Sequence, residues 1–219
     1  MRLRLEQRPL DGGIACLVSV IYISLLLIVG TQLDAGVLGT IIVDGIMILV
    51  LGAVYRCCVK PYAEIKSSSN RLLFLGFAAC AAGCVTVPFF DIRTTVPSLG
   101  YCLLTLFFAP VFEELLFRGI FFSYFRKYLH WFVALVLCSG VFALLHGSYV
   151  QLYSGFVLGL SAGLLYHRTG KIYLSILLHF MYNLVMTFLA ILVPVSITLA
   201  IVLNILFLAV FLMNLRTRS

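Results

Sequence analysis

Two adjacent acids, Glu113 and Glu114, and a base four residues on, Arg118, lie inside the apolar run Leu103 to Phe125. An ionisable group at such depth costs about 2.5–3.5 kcal/mol on insertion scales, so it faces a partner or a polar cavity and marks a candidate functional site. Downstream, two histidines stand in similar surroundings: His146, and His179 at the head of His179-Phe-Met-Tyr-Asn183. Carboxylates, imidazoles and an amide gathered in apolar surroundings suit proton transfer to and from a buried substrate.

Helical spacing divides their labour. Glu114 and Arg118 are four apart, share a face and can pair. Glu113 points about 100° away, given 3.6 residues per turn, and is left to act as a base. His179 and Asn183 also share a face, and His146 closes Phe142-Ala-Leu-Leu-His146. A water held between Glu113 and His146 could become a nucleophile, with His179 and Asn183 donating to the oxyanion that develops on a peptide carbonyl. Taken singly, each group has a plainer role: Glu114 with Arg118 as a structural ion pair, each histidine as a helix-bridging side chain, Asn183 as interhelical glue. Their occurrence together on successive spans favours one shared site. Two glutamates and two histidines could also ligate zinc. However, there is no His-Glu-x-x-His pair, and the ion pair occupies one carboxylate, so no metal or other cofactor is expected. Ser139 and Ser148 flank His146 without a Gly-x-Ser-x-Gly elbow. Asp44, a lone acid in an earlier apolar run, reads as structural because the sequence offers it no partner.

The elements that must position these groups follow from composition. Of 219 residues 63% are hydrophobic and 11% charged, too few charges for the surface of a soluble domain. The continuously apolar runs approach or exceed the ~20 residues a bilayer-crossing helix needs, whereas barrel strands would alternate. The fold expected is an all-α polytopic transmembrane bundle of about eight spans: 14–30, 36–57, 72–90, 98–125, 131–147, 149–167, 172–190 and 194–214. Residues 1–97 supply helices without an assigned motif, 98–190 the motif-bearing core, and 191–219 a last helix with a basic tail, all in one integrated domain. The first run reads as a retained anchor rather than a signal peptide. The seven cysteines show neither zinc spacing nor a disulfide framework and read as small packing residues. Cys57 and Cys58, at a helix end, are also placed for lipidation.

Basic residues cluster before the first span, between the second and third, after the fourth and sixth, and at the chain end. Arg93 alone falls opposite. By the positive-inside rule both termini are cytoplasmic in a multi-pass protein of the cell membrane. The net charge of +7 is therefore topological and gives no support to a nucleic-acid partner. Gly155, Gly159 and Gly163 recur every fourth residue, a small-residue stripe for close helix packing within the bundle.

Glu113-Glu114-x-x-x-Arg118, then Phe142-x-x-x-His146, then His179-x-x-x-Asn183 resemble the three motifs of the CAAX prenyl protease and bacteriocin-processing (abortive-infection) family of intramembrane glutamic endopeptidases. The resemblance covers roughly residues 98–190. It implies a helical bundle whose cavity opens to membrane and water, and metal-free peptide hydrolysis. Glu113 and His146 would activate water, His179 and Asn183 would form the oxyanion site, and Glu114 and Arg118 would support Glu113. The shortness of the chain is similar to bacterial members, which are linked to bacteriocin maturation, self-immunity or control of membrane sensor kinases; this implies a bacterial plasma membrane.

Three functions compete. An intramembrane endopeptidase would act on a small peptide or membrane-protein substrate in the lipid bilayer, in bacteriocin processing or self-immunity. A non-catalytic immunity protein, or a partner of a membrane sensor kinase, would keep the fold but would not need the intact motifs. A proton-coupled transporter using Asp44 and Glu113 would be expected to show internal repeats, and none is evident.

Overall fold

Long apolar stretches bounded by capping residues and glycines give helices, and in the computed structural model nearly every described residue is helical. The structure describes residues 13, 17, 20, 21, 36–59, 76, 78, 98–146, 149–188 and 197–216. Six helices follow in order: α1 (Gly36–Cys58), α2 (Leu99–Phe125), α3 (Trp131–Leu144), α4 (Tyr149–Thr169), α5 (Ile172–Phe188) and α6 (Ile197–Arg216). No strand occurs among the described residues. The expected spans 14–30 and 72–90 lie almost wholly outside them. The other six expected spans each coincide with one helix. α1 and α2 are long and apolar enough to cross a bilayer, and α3 and α5 are shorter apolar helices. Large apolar side chains point outward from α1 (Leu38, Ile42, Leu49) and α6 (Ile201, Ile205, Met213). Lipid solvates such faces, as water does not. The described fold is all-helical, and its apolar helices point to a membrane protein.

Local sequence sets the helix ends. Ser98 caps α2 by accepting from Tyr101 N at 3.2 Å, and His130 Nδ1 caps α3 by accepting from Phe132 N at 3.3 Å. Gly170, at φ +68°, ends α4 in the left-handed conformation that glycine adopts without strain.

α1 runs parallel to α2. Val37 lies against Gly100, Phe108 against Gly45, and Tyr55 against Gly119, so positions rise together along both helices. α3 and α4 are antiparallel, and their contact is the glycine stripe. Gly155 faces Ala143, Gly159 faces Ser139 and Gly163 faces Leu135. A Cβ on Gly159 would come within 3.0 Å of Ser139 Cα, so only glycine allows this approach. The stripe is an internal packing surface, as its spacing suggested. α5 returns antiparallel to α4, joined by Ser175 Oγ donating to Ala162 O (2.9 Å) and Tyr182 Oη to Ser154 O (3.4 Å).

One end of the bundle collects the C-termini of α1, α2, α4 and α6. Tyr166 Oη lies 3.4 Å from both Tyr55 Oη and Ser123 Oγ. His167 stacks flat on Trp131, with centroids 4.4 Å apart and planes 10° apart. Arg168 Nη2 donates to Asn214 O (2.7 Å) and Leu215 O (3.2 Å), satisfying carbonyls at the end of α6 and placing a cation at the negative pole of its dipole.

Candidate active site

The acids stand on a helix of unusual winding. In α2 two stretches, Leu104–Phe108 and Leu115–Phe122, take the wide i→i+5 turn, with the tighter Ala109–Glu114 between them. Such turns are rare and cluster at functional sites. Pro110 accounts for the first. Its ring crowds the carbonyl four residues back, and opening the turn relieves the contact.

Pro110 also explains Asn183. In the widened turn Ala109 N–H bonds to Leu104 O. The next donor along, which would serve Thr105 O, is missing because proline has no N–H. Asn183 Nδ2 donates to Thr105 O at 2.8 Å and fills the gap. Asn183 thus has a defined structural task. We expect Asn183→Ala to cost about 1 kcal/mol, the low end of the penalty for an orphaned acceptor, because the bond is only partly buried. Most of that cost should vanish in a Pro110→Ala background, where residue 110 regains its N–H. Melting midpoints of the two single variants and the double variant check this.

Glu114 is fully buried, and its Oε1 accepts twice: from Arg118 Nη1 at 2.8 Å and from His179 Nδ1 at 2.9 Å. The expected Glu114–Arg118 pair is present, 0% and 2% exposed, and it carries a third member that spacing along one helix could not reveal. His179, on α5, turns Nε2 toward Glu113 Oε2 at 3.8 Å. Glu113 Oε2, Glu114 Oε2 and Arg118 Nη2 are buried and make no hydrogen bond. Glu113, 21% exposed, is the carboxylate that is not committed.

His146 follows α3 in a turn. Its Nδ1 lies 2.8 Å from the Phe142 carbonyl. A carbonyl only accepts, so Nδ1 carries the proton, and in the neutral ring the lone pair is on Nε2. No hydrogen bond or ion pair joins His146 to Glu113. His179 obeys the same logic. Its Nδ1–H goes to a carboxylate already accepting from arginine, so Nε2 can donate only as the imidazolium.

Two residues take contacts that spacing along one helix could not show. The Phe142 ring, 1% exposed, touches Arg118, His146, His179 and Phe117. Asp44, for which the sequence offered no partner, stands beside Gly45, where α1 meets Phe108 of α2. Among the described residues no group of three or more His, Cys, Asp or Glu side chains is arranged to hold a metal ion.

Residues 95–185, which carry every one of these groups except Asp44, match the family model described as type II CAAX prenyl endopeptidase Rce1-like. That segment is similar to the Rce1-like family. The family is one of membrane proteases, and the match runs from just before α2 to near the end of α5. No curated protein and no solved structure gives a significant match to the chain.

Proposed function

We propose that the chain is an intramembrane endopeptidase that hydrolyses peptide bonds with water activated by Glu113 and His146. One observation carries the reading. His179 fixes Glu114 and Arg118 on its Nδ1 side and faces Glu113 with Nε2, which leaves Glu113 as an uncommitted carboxylate within the family segment. A water between Glu113 and His146 Nε2 loses its proton to Glu113 as its oxygen bonds to the peptide carbonyl carbon. The carbonyl electrons move to oxygen, where His179 Nε2–H, as imidazolium, and the second Asn183 N–H stabilise them. The C–N bond then breaks, and Glu113 returns the proton to the departing amine. Glu114, Arg118 and the Phe142 ring hold His179 in place.

The convergence of helix ends supports a multi-pass topology. Arg56, Arg126, Lys127, Arg168, Lys171 and Arg216 terminate or follow helices whose C-terminal ends gather at one pole of the bundle. Cations at one pole mark the cytoplasmic side, consistent with eight spans and both termini inside. Processing of, or immunity to, a small membrane-active peptide in a bacterial plasma membrane is the setting this reading favours.

The test compares wild type with His146→Ala at equal expression in a host lacking the gene, with membrane peptides sized by mass spectrometry. An uncleaved precursor should accumulate in the variant. Identical peptide profiles and an unchanged phenotype would make this a binding protein on a protease scaffold.

A further inference from the structure

Phe142 lies where four side chains of the site meet. The Arg118 guanidinium carbon sits 4.6 Å from its ring centroid. The His179 ring meets it edge-on, with centroids 5.8 Å apart and planes at 86°. His146 packs against it at 4.7 Å, and Phe117 closes a further side edge-on at 5.2 Å. The ring is 1% exposed, so these contacts are made without competing water.

Arg118 has one hydrogen-bond anchor, Nη1 on Glu114 Oε1, while its Nη2 is buried without a partner. A guanidinium held at one nitrogen can pivot. The next acid along the helix is Glu113, whose Oε2 is equally unsatisfied. The π face of Phe142 attracts the cation and opposes that pivot. The ring edge meanwhile sets the plane of His179 and so the aim of Nε2 at Glu113.

From this geometry we infer that Phe142 is a positioning residue: its ring holds Arg118 on Glu114 and away from Glu113, keeping Glu113 free as the base, and it orients both histidines. The inference rests on the hydrolytic reading for its effect on turnover but not for its effect on the Arg118–Glu114–His179 chain. If it holds, the ring's electrostatic character matters and not only its volume.

A graded series of fluorinated phenylalanines at position 142 separates these, because fluorine drains the π face while nearly preserving shape. The full chain is reconstituted in nanodiscs. Cleavage of a pooled peptide library is followed by mass spectrometry, kcat and KM are then measured on the best-cleaved peptide, and the hydrogen-bonded Nδ1 proton of His179 is followed by NMR. We expect kcat to fall stepwise to about a tenth with the most fluorinated ring, as a weakened cation–π contact predicts, with KM and melting midpoint unchanged. The Nδ1 proton signal should weaken in the same order. Fluorinated rings that leave both readouts as in wild type, while Phe142→Leu loses both, would reduce Phe142 to a space filler and overturn the inference. If wild type cleaves nothing in the pool but the proton signal still follows the series, the positioning role stands and the hydrolytic reading falls.

Discussion

Glu113→Gln is expected to lower peptide hydrolysis by about two to four orders of magnitude, the usual contribution of a general base, without lowering the melting midpoint. Glu113 Oε2 makes no hydrogen bond, and His179 Nε2 stands 3.8 Å away. Glu114→Gln should behave in the opposite way. That carboxylate is 0% exposed and accepts from Arg118 and His179 together. Its neutralisation leaves a buried cation unmatched and should cost several kcal/mol, as removal of one partner from a buried pair does. Both variants are purified in the same membrane mimetic, then melted and assayed on one peptide. Turnover of Glu113→Gln within tenfold of wild type, or early melting of that variant, would refute the division of labour between the neighbouring acids.

The Glu114–Arg118 pair was legible from spacing alone, because a helix aligns residues four apart. The packing role of Gly155, Gly159 and Gly163 was readable for the same reason: a stripe of missing side chains can serve only close approach. What spacing could not supply was the partner across the bundle. His179 and Glu114 are 65 residues apart in sequence, and nothing local says that the imidazole bridges both glutamates. Thr105 is a more instructive omission. Pro110 within an apolar run announces that a carbonyl upstream has lost its donor, and in a bilayer such a group must find another. A search for a polar side chain to serve it would have led to Asn183. The wide turns of α2 leave no comparable mark, except where proline forces one. Phe142 was visible as a motif member, but its contact with a cation depends on where Arg118 is held.

Arg118→Leu should be the most destabilising single substitution at the site. The guanidinium is 2% exposed, donates to Glu114 Oε1 at 2.8 Å and covers the Phe142 ring. Removing it strands a fully buried carboxylate with one remaining donor, His179 Nδ1. Breaking a buried pair this way costs about 3–5 kcal/mol, which for a chain of this size lowers the midpoint by about 10 °C. Arg118→Lys keeps the charge but not the planar group that both accepts the ring face and donates along the helix, so it should recover only part of the loss. The double variant Glu114→Leu, Arg118→Leu distinguishes stability from function. With both charges gone no ion is stranded, and much of the stability should return, because such coupled substitutions are strongly non-additive. Hydrolysis should not return, since His179 Nδ1 would have lost the carboxylate that sets its tautomer and aims Nε2. A double variant that is both stable and active would mean that the pair merely neutralises itself. A single Arg118→Leu variant that melts within a few degrees of wild type would mean that Glu114 is not buried as an ion.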